Sequence, residues 1–175
     1  MTDSSNVAFR AQLVIAEQRQ LYDYWAESAA GRAMPARGDI SPAHFPRLLP
    51  NVSLLERVGS RLKVRLAGTR LRDIYDREIT GLHLDEIDWG DKRPYWQAVY
   101  DHIQSTFRPA QGVIRAPGLD KDHLVQFWLR LPLSYGGRLA SMILCYDIFV
   151  AAQRLPRTLE MSDGAGEPLR SALSA

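Results

Sequence analysis

Leu124-Val125-Gln126-Phe127-Trp128-Leu129-Arg130-Leu131-Pro132-Leu133, followed after Tyr135-Gly136-Gly137 by Arg138 to Phe149, is the stretch whose reading decides the fold. Side chains alternate between the two faces of a strand, so a strand bordering water on one side is apolar at every second position. Here both registers are largely apolar. Val125, Phe127, Leu129 and Leu131 alternate with Leu124 and Trp128, and Ala140, Met142, Leu144 and Tyr146 alternate with Leu139 and Ile143. Both strands therefore belong to a sheet covered on its two sides. Trp128 and Ile143 together are too large an apolar patch to leave in water, so a further layer must lie over the outer side. The expected cover is the helical segment from Val7 to Ala29, supplied by its own chain or by a second one. Its stripe is Val7, Ala11, Val14, Leu21 and Trp25.

Outward from that hairpin, Pro132 suggests that its strand ends or lies at an edge. Gln111 to Ala116 is a shorter strand, turned by Pro117-Gly118. Lys92 to Phe107 reads as a helix with Trp96, Val99, Tyr100, Ile103 and Phe107 on one side. Asn51 to Val58 and Arg61 to Leu66 form a hairpin around Gly59-Ser60. Its second strand sets Leu62, Val64 and Leu66 against Arg61, Lys63 and Arg65. Ser41 before Pro42 opens a short helix, and Thr69 caps another through about Tyr75. Strands separated by a helical block give an α+β fold with an antiparallel sheet. The expected division is a flanking helix and connector over 1–38, the domain over 39–150, and a disordered tail over 151–175.

Several stretches resemble the PAS domain, and more closely the small single-PAS proteins of alphaproteobacteria. They are Leu21-Tyr22-Asp23-Tyr24-Trp25, Gly31-Arg32, Met34-Pro35, Ile40 with Pro42, Leu48-Leu49-Pro50-Asn51-Val52, Arg65-Leu66-Ala67-Gly68-Thr69, Thr80-Gly81 and Leu131-Pro132-Leu133. The resemblance implies a five-stranded antiparallel sheet with the two N-terminal strands at its centre and helices wrapping the concave face. It also implies a sensory or protein-interaction role. Asp147-Ile148-Phe149 is similar to the Asp-Ile-Thr triplet at which many PAS domains hand over to an effector helix, with Phe149 in place of threonine. With no effector after it, signalling would pass through a separate partner such as a signalling kinase or regulator, and a homodimer is expected.

Composition narrows the chemistry. A formal charge of +2 and 46% hydrophobic residues describe an ordinary globular chain and not a dedicated nucleic-acid binder. One cysteine, Cys145, excludes an internal disulfide and any zinc site built on two thiolates. The sequence shows no secretory signal and no membrane-length apolar run, so a cytoplasmic protein is expected. Cys145 lies among Met142, Ile143 and Leu144 and reads as a buried thiol, not a flavin-adduct cysteine. His102 sits on the helix where PAS haem sensors hold their ligand, yet off the buried stripe, so a half-exposed histidine is expected. No nucleotide-binding glycine loop or nucleophile elbow occurs.

Two constellations keep alternatives open. His83, Asp85, Glu86, Asp88 and Asp91 form an acidic loop that a metal-dependent enzyme could use, or that could simply suit the following helix dipole. Arg61, Lys63 and Arg65, continued by Arg70 and Arg72, are a solvated strand face or a dock for an acidic partner. The leading expectation is a sensor or adaptor without catalytic activity. Its ligand pocket is Leu66, Ile74, Tyr75, Trp96, Tyr100 and Phe127, with core packing as the alternative role of the aromatics. Its interface is Val14, Leu21, Trp25, Trp128 and Ile143. No cofactor is named, and neither membrane nor nucleic acid is expected as a partner.

Overall fold

The computed structural model describes residues 4–116, 121, 123–135 and 140–154. Two helices, α1 (Ser4–Gln12) and α2 (Ala16–Ala29), lead through short 3-10 turns into β1 (Val52–Val58) and β2 (Arg61–Ala67). Next come α3 (Thr69–Tyr75), further 3-10 turns and α4 (Arg93–Thr106), then β3 (Ala110–Arg115), β4 (Leu124–Ser134) and β5 (Ala140–Ala151). The five strands form one antiparallel sheet in the order β2-β1-β5-β4-β3. The fold is α+β, as the sequence implies, but β2 is an edge strand. The centre belongs to β5, the most apolar strand, and not to the two N-terminal strands together. The turns at Pro117-Gly118 and Gly136-Gly137, and the tail from 155 onward, lie outside the described residues.

Both faces are covered. Against one pack Phe9, Leu13, Leu21 and Trp25 from the N-terminal helices, meeting Leu129, Leu131, Leu133, Met142 and Leu144. Against the other packs α4 through Tyr95, Trp96, Val99, Tyr100 and Ile103, meeting Leu55, Val64, Trp128 and Ile143. Trp128 and Ile143 were expected under the N-terminal helix, and the structure reverses that placement. Gln126, Arg130 and Asp147 share the Trp128 face by strand alternation and cross-strand register. α4 brings the Tyr95 and Tyr100 hydroxyls to Trp128 and Arg130, whereas the N-terminal helices meet their face mainly through Phe9, Leu21 and Trp25, with Gln18 the buried polar residue of α2.

The segment from Val7 to Ala29 is not one helix. A continuous one would be about 35 Å long and straight. Instead Val14-Ile15, a β-branched pair, interrupts it, and Ile15 is extended (φ −90°, ψ 127°). The break lets α1 fold back on α2, with Phe9 5.0 Å from the Tyr22 ring and Arg10 paired to Asp23 at 2.6 Å. Trp25 ties α2 to the sheet, its indole N–H donating to the Pro132 carbonyl at 2.9 Å. Pro132 is tolerated inside β4 because β3 has ended there. Its pairing with β4 begins at Ala110 opposite Arg130. The helix expected at Ser41 is a single 3-10 turn, Pro42–His44, without a side-chain cap.

One irregularity redirects a side chain. Leu54 pairs with Leu66 while Leu55 pairs with Val64, so Arg65 is an extra residue in β2. Beyond it the alternation inverts, and Leu66 joins Leu54 on the outer face.

Candidate functional site

Under α4 the sheet carries a buried polar cluster. Arg130 and Asp147 are 2% and 3% exposed, which makes their ion pair a core feature. Arg130 Nη2 meets Asp147 Oδ1 at 2.9 Å, Nη1 donates to the Leu129 carbonyl at 3.0 Å, and Nε donates to the Tyr100 hydroxyl at 3.2 Å. Gln126 Nε2 donates to the same carboxylate oxygen at 2.7 Å. The guanidinium lies 4.9 Å from the Trp96 ring, 5.6 Å from Trp128 and 5.8 Å from Tyr100. Burial opposes its charge, but Asp147 beside it overrides that, and the pKa stands well above the ordinary arginine value. Such a pair survives desolvation only because nearly every donor is satisfied.

The neighbouring groups are poor nucleophiles and acids. Burial pushes the Cys145 thiol up to about 12 and the Tyr95 hydroxyl, which accepts from Trp128 Nε1 at 2.9 Å, up to about 12. Trp96 Nε1 and Gln126 Oε1 are buried with no hydrogen-bond partner among the described residues. The layer under α4 is thus built of aromatic rings around one ion pair.

Two concavities open from the surface. A cleft of about 440 Å³ lies between α4, the β1–β2 turn and the 84–93 loop. Arg57, Arg93, Gln97 and Gln104 are on its rim, and Trp89, Trp96 and Tyr100 are in its wall. On the opposite face a groove, also about 440 Å³, is lined by Ile40, Phe45, Leu49, Leu54, Leu66 and Leu144, with Arg37 as its one charged lining residue. Leu66 is 50% exposed there.

The residues expected to form one pocket are divided by the fold. Trp96 and Tyr100 line the cleft, and Tyr75 packs edge-on to Trp89 at 5.7 Å beside it. Ile74 is half-buried, and its carbonyl accepts from Lys121 Nζ. Phe127 alternates with Trp128 and therefore faces the other way, and Leu66 lies in the outer groove because of the extra Arg65. Of the expected interface residues, Leu21, Trp25, Trp128 and Ile143 are buried within the single chain, whereas Val14 is 55% exposed.

The charged constellations are similarly dispersed. Arg61 meets Asp85 at 2.7 Å and Glu86 at 3.9 Å, and Arg65 meets Glu56 at 3.1 Å. The stripe is neutralised at those two positions. In the acidic loop, Glu86 accepts from the His83 backbone at 2.6 Å, Asp88 from Gly90 at 3.0 Å, and Asp91 pairs with Lys92 at 2.9 Å. The carboxylates are thus held by different partners. His102 is half-buried as expected, its pKa lowered by burial and by Arg108.

Arg130 and Gln126 were not singled out from the sequence, and Asp147 was noted only as the start of its triplet, not as their partner. The signal was present: they interrupt the same face of two otherwise apolar strands, a position where a polar group needs a partner.

A sheet in the order β2-β1-β5-β4-β3, with α4 across one face and the N-terminal helices across the other, defines the class as a small three-layer α+β domain. Comparison with known families makes this specific: the PAS domain family matches residues 14–144, and the chain belongs to it. PAS domains are in general sensory or signalling modules and often mediate protein interactions. A search of curated proteins finds no match. Among the described residues no helix is long and apolar enough to cross a membrane.

Proposed function

We propose that this chain is a PAS sensor and adaptor in signal transduction, acting in the cytoplasm by binding a separate protein and not by catalysis. The outer groove carries the reading. A trough lined almost wholly by apolar side chains, with a half-exposed leucine in it, is the kind of surface that protein partners cover. Binding to the outer face would also leave the Arg130–Asp147 pair beneath α4 undisturbed. The test is photo-crosslinking in living cells, with benzoylphenylalanine placed one site at a time at exposed positions over the whole surface. A discrete adduct with one signalling protein is the expected result. Adducts at none of the positions would remove the adaptor reading.

A small ligand is the second reading, and the cleft favours it. Arg93 donates to the Asp85 and Ile87 carbonyls at 3.1 and 3.3 Å, and Arg57 to Gly59 at 3.2 Å. Both line the cleft, as do Asp85 and Asp101, and among the described residues the hydrogen bonds of the two arginines go to backbone oxygens. Native mass spectrometry of protein from its own host should show a mass above the 19.8 kDa chain that disappears on denaturation. A bare chain mass under gentle conditions would count against a ligand.

A further inference from the structure

We infer that the outer groove takes one amphipathic helix of a partner protein, with a carboxylate at the end of its apolar stripe. This rests on the adaptor reading and specifies its partner. Three observations carry it.

The first is the shape and stiffness of the site. One side is the sheet, through Leu54, Leu66 and Leu144, and the other is the segment holding Phe45 and Leu49. Pro42, Pro46 and Pro50 fix the backbone of that segment. Gly68 presses against it so closely that a Cβ would lie 2.2 Å from the Leu49 carbonyl oxygen. A groove that is already built costs little to order on binding.

The second is the state of the neighbouring strand edge. A partner could add a strand to β2 only if its outer edge were open. That edge is occupied: Val64 N–H donates to the Leu82 carbonyl at 2.8 Å, and Gly81 N–H donates to the Val64 carbonyl at 2.7 Å. Ala67 N–H donates to Thr80 Oγ1 at 3.2 Å. Side-chain insertion remains, which is how a helix binds a groove, with anchors at i, i+3 or i+4, and i+7. A fatty-acyl ligand would ask for enclosure over most of its surface, whereas this trough is open along one side.

The third is charge. Arg37 donates to the Ile40 carbonyl at 2.9 Å and has no carboxylate paired with it among the described residues. An Asp or Glu flanking the apolar anchors completes it.

The test selects a displayed library of 15-residue helix-forming peptides on the intact chain, with the Leu66→Asp variant as counter-selection. Enriched peptides should carry apolar residues at helical spacing and an acid at one end. They should bind Leu66→Asp and Leu66→Ala at least about tenfold more weakly, as loss of one anchor implies. On Arg37→Glu the selected end charge should switch from Asp or Glu to Lys or Arg. Leu66 is half exposed, so both leucine variants should keep the wild-type melting temperature and circular dichroism. Enrichment that ignores Leu66 and Arg37, or none above counter-selection, overturns the inference. Saturable binding of dodecanoate lost in Leu66→Asp, with no peptide selected, assigns the groove to an amphiphile and overturns it too. In either case a crosslinked partner elsewhere on the surface would leave the adaptor reading standing.

Discussion

Arg130 shows how one residue can set the character of an interior. Its guanidinium is enclosed by three rings and neutralised by Asp147, with Gln126 and Tyr100 completing the bonds. Removing one partner leaves the other charge stranded in a dry site. Arg130→Met should therefore lose about 3–5 kcal/mol of unfolding free energy, and Asp147→Leu a comparable amount. The double variant, which removes both charges, should recover most of that loss. Urea denaturation of the four proteins measures it, and additive losses would refute the coupling. That Arg130 and Asp147 are polar is plain in the sequence. Their meeting depends on the β4–β5 register, which places Asp147 opposite Trp128 and Arg130 opposite Cys145. No local pattern specifies that register.

At the scale of elements, the junction from β2 into α3 fixes the wall of the groove. Gly68 N–H donates to the Val52 carbonyl at 2.7 Å, which brings its Cα against the Leu49–Pro50 backbone. Gly68→Ala should lower stability by roughly 1–3 kcal/mol, because the obstruction is backbone and not a side chain that can swing away. Thermal melting would show this, and an unchanged midpoint would mean that the contact is looser than described. The segment Arg65-Leu66-Ala67-Gly68-Thr69 was legible as a family feature, and the close approach at Gly68 gives it a physical reason. The strands and α4 were legible too, because alternation and helical spacing are local. The break at Val14-Ile15 was not, since the apolar stripe continues through it. Nor was the extra residue at Arg65, because strict alternation up to Leu66 conceals a slip that only the partner strand defines.

For the whole molecule, the groups buried between sheet and helices make stability depend on alkalinity. The Cys145, Tyr95 and Tyr146 pKa values are each pushed up to about 12, chiefly by burial, from ordinary values of 9.0 for cysteine and 10.0 for tyrosine. The folded state thus holds protons that the unfolded chain releases. The stabilisation is complete below the unfolded values and is lost as pH rises from about 9 towards 12. Urea midpoints should be level near neutrality and fall above pH about 9. A midpoint unchanged between pH 8 and 11 would contradict it. At this scale the covering of both faces was readable from β4 and β5. Which cover goes with which face was not, because it turns on matching polar atoms across layers.

The inserted Arg65 acts like a phase slip in a two-beat rhythm. Were Arg65 kept in strict alternation, Leu66 would fall in step with Leu62 and Val64 and turn inward; the slip sends it to the trough instead. Excising Arg65 would set Leu66 directly after Val64, still opposite Leu54 and still outward. The edge strand can therefore shed that residue and keep both of its faces, which makes the exterior tolerant of a one-codon loss at this place.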